Sequence, residues 1–382
     1  MEDKKKILII VTLAEVGGAQ MSVLNLSREL KRRGNEVTVG FGKGDFLAKE
    51  CERAGIGTRR FHNLDRSHNI LKNLKFILEL RSFLKNENFD VVHINSSNAL
   101  VGALATVFLS SKKPQVVFTY RGLSFLDEHN EDKKVKKLFY RIIFRFLTLF
   151  VNVEVFVSKA NLKSAQRMGL GKKGVVIYNG LDLSKIDFLE REKARSELER
   201  LCGRKLKNKK VVGSVGRLAY QKNYEFLIKN WLSIREEVPG AICVILGDGP
   251  DREKLEDLID KKGCRGGLYL LGEYPNAGRL LKGFDVFTLP SRYEGLSITT
   301  LEALFAGIPM LVTKTGGNPE VVAEVDEFLF GINKNKEFKE KLVALLNDQE
   351  LKDKALFLSK ERSYQFTISN TTNGYEEVYR AK

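Results

Sequence analysis

Two carboxylates and two cations are the side chains best suited to chemistry. Glu294 and Glu302 are eight residues apart and Arg217 and Lys222 five apart, with glycine next to Glu294 and to Arg217. A glutamate beside Gly295 sits where backbone can approach a ligand closely. A carboxylate on the flank of a helix needs an Arg or Lys, or the hydroxyls of a polyol such as ribose, because burying an unpaired charge is costly. Arg217 and Lys222, between a strand end and a helix start, suit a pyrophosphate. The bland alternative is two surface glutamates and two solvated cations.

In the first half, His93, Asn95 and Arg121 stand where apolar runs give way to polar residues. Arginine stays protonated and cannot act as a base, but its fork suits carboxylate or phosphate; a structural ion pair is the alternative. His93 is a candidate acceptor-side group, with a merely hydrogen-bonded histidine as its alternative. His62, His68 and His129 have no ligand or triad spacing. No Asp-x-Asp occurs, and Cys51, Cys202, Cys243 and Cys264 lack metal-ligand spacing. No metal is therefore expected: diphosphate charge would be met by Arg217, Lys222 and helix-terminal N–H groups.

These residues must be positioned by a helix with its own start and stop signals. In PSRYEGLSITTLEALFAGIP (290–309), Ser297 reads as an N-cap, Gly307 as the C-terminal stop and Pro309 as a bar to continuation. About two and a half turns remain, near 298–306. At about 100° per residue, Ile298, Leu301, Leu304 and Phe305 share the apolar face and Glu302 lies on its flank.

Around this helix, short apolar runs alternate with helical periodicity. The first half reads as strands at 7–11, 36–41, 91–94, 116–119, 153–157 and 175–178, with helices near 21–33, 70–85 and 99–109. Gly17 and Gly18 lie between the first strand and helix, where N–H groups could meet an anion or substrate, although a tight turn explains them equally well. Asn179-Gly180 closes this half as a turn, and 183–209 reads as a charged helix with a lysine-rich lead-in, suited to a linker. Strands at 211–215, 241–246, 268–271, 284–289 and 310–313 follow, with helices at 224–236, 339–358 and 370–379. Such alternation argues an α/β fold of doubly wound parallel sheets with ligands at the carboxyl ends of the strands.

At 382 residues, 43% hydrophobic and 29% charged, the chain is globular and long enough for two domains. No apolar run reaches the about 18 residues of a spanning helix, and MEDKKK leads into a strand, not a signal segment. With scattered cysteines, this makes a cytoplasmic location the expectation. The net charge of +16 is uneven: residues 1–170 carry 29 Lys/Arg against 17 Asp/Glu, the rest 35 against 31. An anionic partner is implied, either membrane surface or nucleic acid, and no recognised nucleic-acid motif accompanies the charge. In KKVKKLFYRIIFRFLTLF (133–150), Val135, Leu138, Phe139, Ile142, Ile143, Phe146, Leu147 and Phe150 recur at helical spacing. Lys133, Lys134, Lys136, Lys137, Arg141 and Arg145 lie mostly elsewhere on the wheel. Such a helix either rests on an anionic membrane, making the protein peripheral to it, or packs its stripe on the sheet.

Residues 294–309, EGLSITTLEALFAGIP, resemble the E-x7-E signature of the retaining GT-B glycosyltransferases of family four, and the resemblance spans nearly the whole chain. It implies two Rossmann-like domains facing a central cleft: an acceptor-binding domain (1–182), a nucleotide-sugar domain (183–362), and a last helix (363–382) crossing back to the first. Glu294 would lie against the donor sugar with Gly295 and Leu296, and Glu302 would bind the nucleotide ribose. Gly216-Arg217-Leu218 through Lys222-Asn223 is similar to the family's diphosphate motif, and Gly247-Asp248-Gly249-Pro250 to its G-x-G-P turn. The loop at Gly272 would meet the base; the Gly316-Gly317 turn and the Gly17-Gly18 loop would lie near the donor. Where relatives have T-x-H-G, this chain has Thr119-Tyr120-Arg121-Gly122, so Arg121 would bind donor diphosphate, a uronic acid or an acceptor phosphate.

The resemblance implies transfer of a sugar, with UDP the expected carrier, to a cell-envelope glycan or lipid-linked acceptor. Retention would follow from front-face attack by the acceptor hydroxyl, without a metal cofactor. The rival readings are a sugar-nucleotide epimerase of the same fold and a scaffold that binds sugar or a partner without turnover.

Overall fold

The structure, a computed structural model, describes residues 4–67, 69–107, 109, 113–123 and 134–381; His68, His129 and Lys133 lie outside them. The chain divides into two compact units. One gathers the described residues up to Leu181 together with Phe366 onward, and the other is Asp182–Gln365.

In the first unit, β1 (Lys6–Leu13), β2 (Glu36–Lys43), β3 (Gly57–Arg60), β4 (Val91–Ile94), β5 (Gln115–Tyr120), β6 (Val153–Phe156) and β7 (Gly174–Val176) form a parallel sheet. Its order is β3-β2-β1-β4-β5-β6-β7. Seven of the eight β1 residues are buried, as befits a strand covered on both faces. One core, with Leu8, Ile10, Val92 and Phe118, lies under the Ile70–Glu87 helix and the Ser97–Thr106 segment. The other, with Ile7, Ile9, Val39 and Val117, takes Tyr375, Val378 and Tyr379 from the last helix, Ile368–Arg380. Arg33 fastens that helix to the first one, Gly18–Arg32, donating to Glu29 (2.9 Å), Asn373 (2.6 Å) and Glu376 (2.8 Å).

In the second unit, β8 (Val211–Val215), β9 (Ile242–Leu246), β10 (Leu268–Gly272), β11 (Val286–Leu289), β12 (Met310–Thr313) and β13 (Leu329–Phe330) form another parallel sheet, ordered β10-β9-β8-β11-β12-β13. Strand order reverses between β1 and β4 in one sheet and between β8 and β11 in the other. The crevices at such switch points are where open α/β sheets take ligands.

Several elements depart from the periodicity. Residues 183–209 hold the expected charged helix, Arg191–Cys202, but not as a linker: it buries Ala194 and Leu198 against the Ala277–Gly283 segment. The 339–358 pattern is two helices, Asn335–Asn347 and Gln349–Ser363, because the Asp348 side chain accepts the N–H groups of Glu350 and Leu351 and starts a new one. Ser97–Thr106 is a 3₁₀ run. Cys51, Cys243 and Cys264 are buried free thiols, and Cys202 is partly buried. No helix among the described residues is long and apolar enough to cross a membrane.

Candidate functional site

The helix predicted near 298–306 occupies Ile298–Ala306, and Gly307 stops it in the left-handed region (φ 67°). Ser297 stands at the N-cap position, but its hydroxyl meets Thr299 Oγ1 at 3.0 Å and caps nothing. The buried face is Thr300, Leu301, Ala303 and Leu304, rotated from the expected one, with Ile298 and Phe305 only half-buried. Glu302 sits on the edge of this face. Burial pushes its carboxyl up to about 7, and no partner among the described residues offsets that burial. The 277–283 segment closes over it at Gly278, where a Cβ would stand 3.0 Å from Glu302 Cδ and 3.1 Å from both oxygens. Sequence reasoning missed Gly278, because nothing local links positions 24 residues apart.

Glu294 lies in the loop after β11. Its carboxylate accepts from Lys222 Nζ (2.6 Å), Ser291 Oγ (2.7 Å) and Gln221 Nε2 (3.4 Å). The Lys222–Glu294 pair is nearly buried, its side chains 14% and 6% exposed. Lys222 belongs to the turn Tyr220–Lys222 that leaves β8, so the pair spans the switch point between β8 and β11. Arg292 braces the same turn, its guanidinium 4.0 Å over the Tyr220 ring. The two expected diphosphate cations thus differ: Lys222 is committed to Glu294, while Arg217 is exposed at the end of β8.

Gly295 accepts from Gly317 N–H at 2.7 Å. Gly316 (φ 52°) lies so close that a Cβ there would stand 2.1 Å from the Glu294 carbonyl oxygen, so only glycine fits. The Gly316-Gly317 turn therefore holds the Glu294 loop. The Leu296 side chain is buried, leaving its backbone as what it can offer a ligand. Gly272 ends β10 at φ 79° and accepts from Gly247 N–H at 2.7 Å. In the first unit, Gly17 is extended and Gly18 opens its helix without a side-chain cap.

The first unit holds a second polar cluster at the carboxyl ends of its strands. Arg121, just beyond β5, donates from Nη2 to Asn95 Oδ1 and from Nη1 to Asn179 Oδ1, both at 2.6 Å. Asn179, read from the sequence only as part of a turn, is thus a partner of Arg121 across β6.

His93 is a correction. It pairs with Ile9 and Val117 in the middle of the sheet and is fully buried. Its Nδ1 meets Tyr379 Oη and its Nε2 meets Thr119 Oγ1, each at 2.7 Å. Burial, and then the charge of Arg121, push the imidazole well below its ordinary range, so it is neutral. A strand-end position in the sequence is a core position in the ladder, and His93 anchors the last helix instead of facing an acceptor.

Two Rossmann-like units with polar loops at the switch point of each sheet are the GT-B arrangement of sugar transferases. The family model "Glycosyltransferase Family 4" matches residues 16–185, and "Glycosyl transferases group 1" matches 199–356. An Escherichia coli UDP-Gal:alpha-D-GlcNAc-diphosphoundecaprenol alpha-1,3-galactosyltransferase is 31% identical over 314 residues, 75% of this chain and 74% of the relative. The chain belongs to this glycosyltransferase family. In fold it is similar to Anabaena HepE, solved with UDP and glucose (TM-score 0.83, 20% identity, 99% of this chain, 100% of that one). It is also similar to WaaG, a glycosyltransferase involved in lipopolysaccharide biosynthesis (TM-score 0.73, 16% identity, 98% and 100%).

Proposed function

We propose that the protein transfers a sugar from a UDP-sugar, with retention and without a metal ion, to a cell-envelope glycan or lipid-linked acceptor at the cytoplasmic face of the membrane. The observation that carries the donor half is Glu302. A desolvated carboxylate with no partner among the described residues is an acceptor in want of donors, which the two hydroxyls of a ribose supply. Glu294, with Lys222, Ser291 and Gln221 on its carboxylate, is held to orient a donor sugar beside the switch point. Arg217 is the cation left to meet the diphosphate, assisting departure electrostatically.

The acceptor half draws on the E. coli relative, named for its action on a diphosphoundecaprenol-linked GlcNAc, and on a surface of the first unit. Helix Lys134–Leu147 buries only Phe144 and Leu147. Val135 (80% exposed), Phe139 (60%) and Ile142 (60%) face outward, with Leu138 and Phe146 beside them. The Ile70–Glu87 helix packs on the same Ser97–Thr106 segment and exposes Ile70, Leu71, Leu74 and Leu78. Apolar stripes flanked by exposed Lys134, Lys136 and Arg145 suit an anionic lipid surface.

The test is melting of the purified protein with UDP, GDP, ADP and CMP, with and without EDTA. A shift with UDP that survives EDTA and disappears in Glu302→Ala supports the donor reading; no shift with any nucleotide points to a binding scaffold. The anomeric configuration of the product decides retention. Co-sedimentation with phosphatidylglycerol vesicles, lost in Phe139→Ser/Ile142→Ser, decides the membrane face.

A further inference from the structure

Among the described residues Arg121 is a cation without a counter-charge. It makes no ion pair with them, and its acceptors there are two amide oxygens, those of Asn95 and Asn179. Its Nε–H is buried with no acceptor, and so is the Nδ2 of Asn95, a residue 1% exposed. Both orphaned groups are donors, so among the described residues the cluster lacks acceptors and negative charge. The three side chains come from the loops after β4, β5 and β7, at the carboxyl edge of the parallel sheet, where such sheets take ligands. Arg121 itself keeps part of its surface open to solvent. A guanidinium in a purely structural role is normally matched by a carboxylate, because a buried unpaired charge is expensive and an orphaned donor adds to that expense.

We infer that Arg121, held by Asn95 and Asn179, is a binding site for an oxyanion carried by the substrate: a planar carboxylate of an acidic sugar or a phosphate of a lipid-linked acceptor. The fork geometry fits either group, and an oxyanion supplies the missing acceptors. The inference rests on the glycosyltransferase reading for which substrate brings the anion, not for the anion site itself.

The experiment compares wild type with Arg121→Gln and Arg121→Lys by calorimetric titration with UDP, UDP-glucose, UDP-glucuronate, geranyl-diphosphate-linked N-acetylglucosamine and the corresponding uncharged geranyl glycoside. One acidic probe should bind wild type at least tenfold more tightly than its neutral counterpart. Arg121→Gln should abolish that preference, leave UDP affinity unchanged and leave the ligand-free melting temperature unchanged or higher. Preference for UDP-glucuronate assigns the site to the donor sugar, and preference for the geranyl diphosphate assigns it to the acceptor. Equal binding of charged and neutral probes, with UDP still bound, overturns the inference. So does a fall in melting temperature or loss of folding in Arg121→Gln while Arg121→Lys behaves as wild type, which marks a structural cation. If UDP binds no variant, the donor reading fails by itself, and the geranyl pair alone decides Arg121.

Discussion

Glu302→Gln should make the ligand-free protein more stable and the nucleotide-bound protein less so. Burial moves the Glu302 carboxyl from an ordinary 4.5 to about 7. At about 1.4 kcal/mol per pH unit, that corresponds to about 3 kcal/mol of folding free energy lost to keeping the charge. The sign follows from linkage: below 4.5 both folded and unfolded chains hold the proton and nothing is lost. Between 4.5 and 7 the unfolded chain ionises first and stability falls as pH rises. Above 7 the full loss is present. Glutamine removes it, so at pH 8 the variant should melt higher by about 6–12 °C, at ~2–4 °C per kcal/mol for a unit of this size, and the two proteins should converge near pH 4. Ribose hydroxyls favour the ionised form, so UDP affinity of the wild type should rise with pH up to about 7 and then level off, relative to a variant that binds weakly throughout. Melting by calorimetry across pH 4–8, with and without UDP, reads both effects. Equal melting temperatures at pH 8 would refute the desolvation argument; a variant that gains stability yet binds UDP normally would refute the ribose assignment.

Gly278→Ala places a methyl about 3 Å from the Glu302 carboxylate; because the far end of a side chain can give way, folding should change little while UDP affinity falls several-fold in titration. Lys222→Met removes the cation from the Glu294 carboxylate and should cost ~3 kcal/mol in urea unfolding, and adding Glu294→Gln should restore much of it without restoring transfer; a stable single variant would show the pair to be solvated. Removing residues 367–382 strips Tyr375, Val378 and Tyr379 from the first unit's core and takes Asn373 and Glu376 from Arg33. At ~1.5–3 kcal/mol per large apolar side chain, this rivals the stability of a domain, so the truncated chain should lose cooperative melting, and unchanged melting would deny the helix its structural role.

Where the information is local, the chain announces its structure. Helix Ile298–Ala306 was legible because glycine and proline end it within its own sequence, and the β-strands because a strand covered on both faces must be apolar throughout. Glu294, Glu302, Arg217 and Lys222 stand out as candidates for the same reason, as short runs with characteristic spacing.

What the sequence could not show is which side chains answer one another. Lys222 and Glu294 are 72 residues apart, Arg121 and Asn179 58, and His93 and Tyr379 286. The alternation of strand and helix by itself determined a parallel α/β protein with polar loops at the strand ends. Strand order decided the rest, because pairing β8 with β11 closes the Lys222–Glu294 pair, pairing β4 with β1 and β5 buries His93, and folding Gly278 over Glu302 desolvates that carboxylate with no offsetting partner among the described residues. Burial and electrostatic pairing depend on distances in space, and chain spacing fixes those only within a single turn or strand.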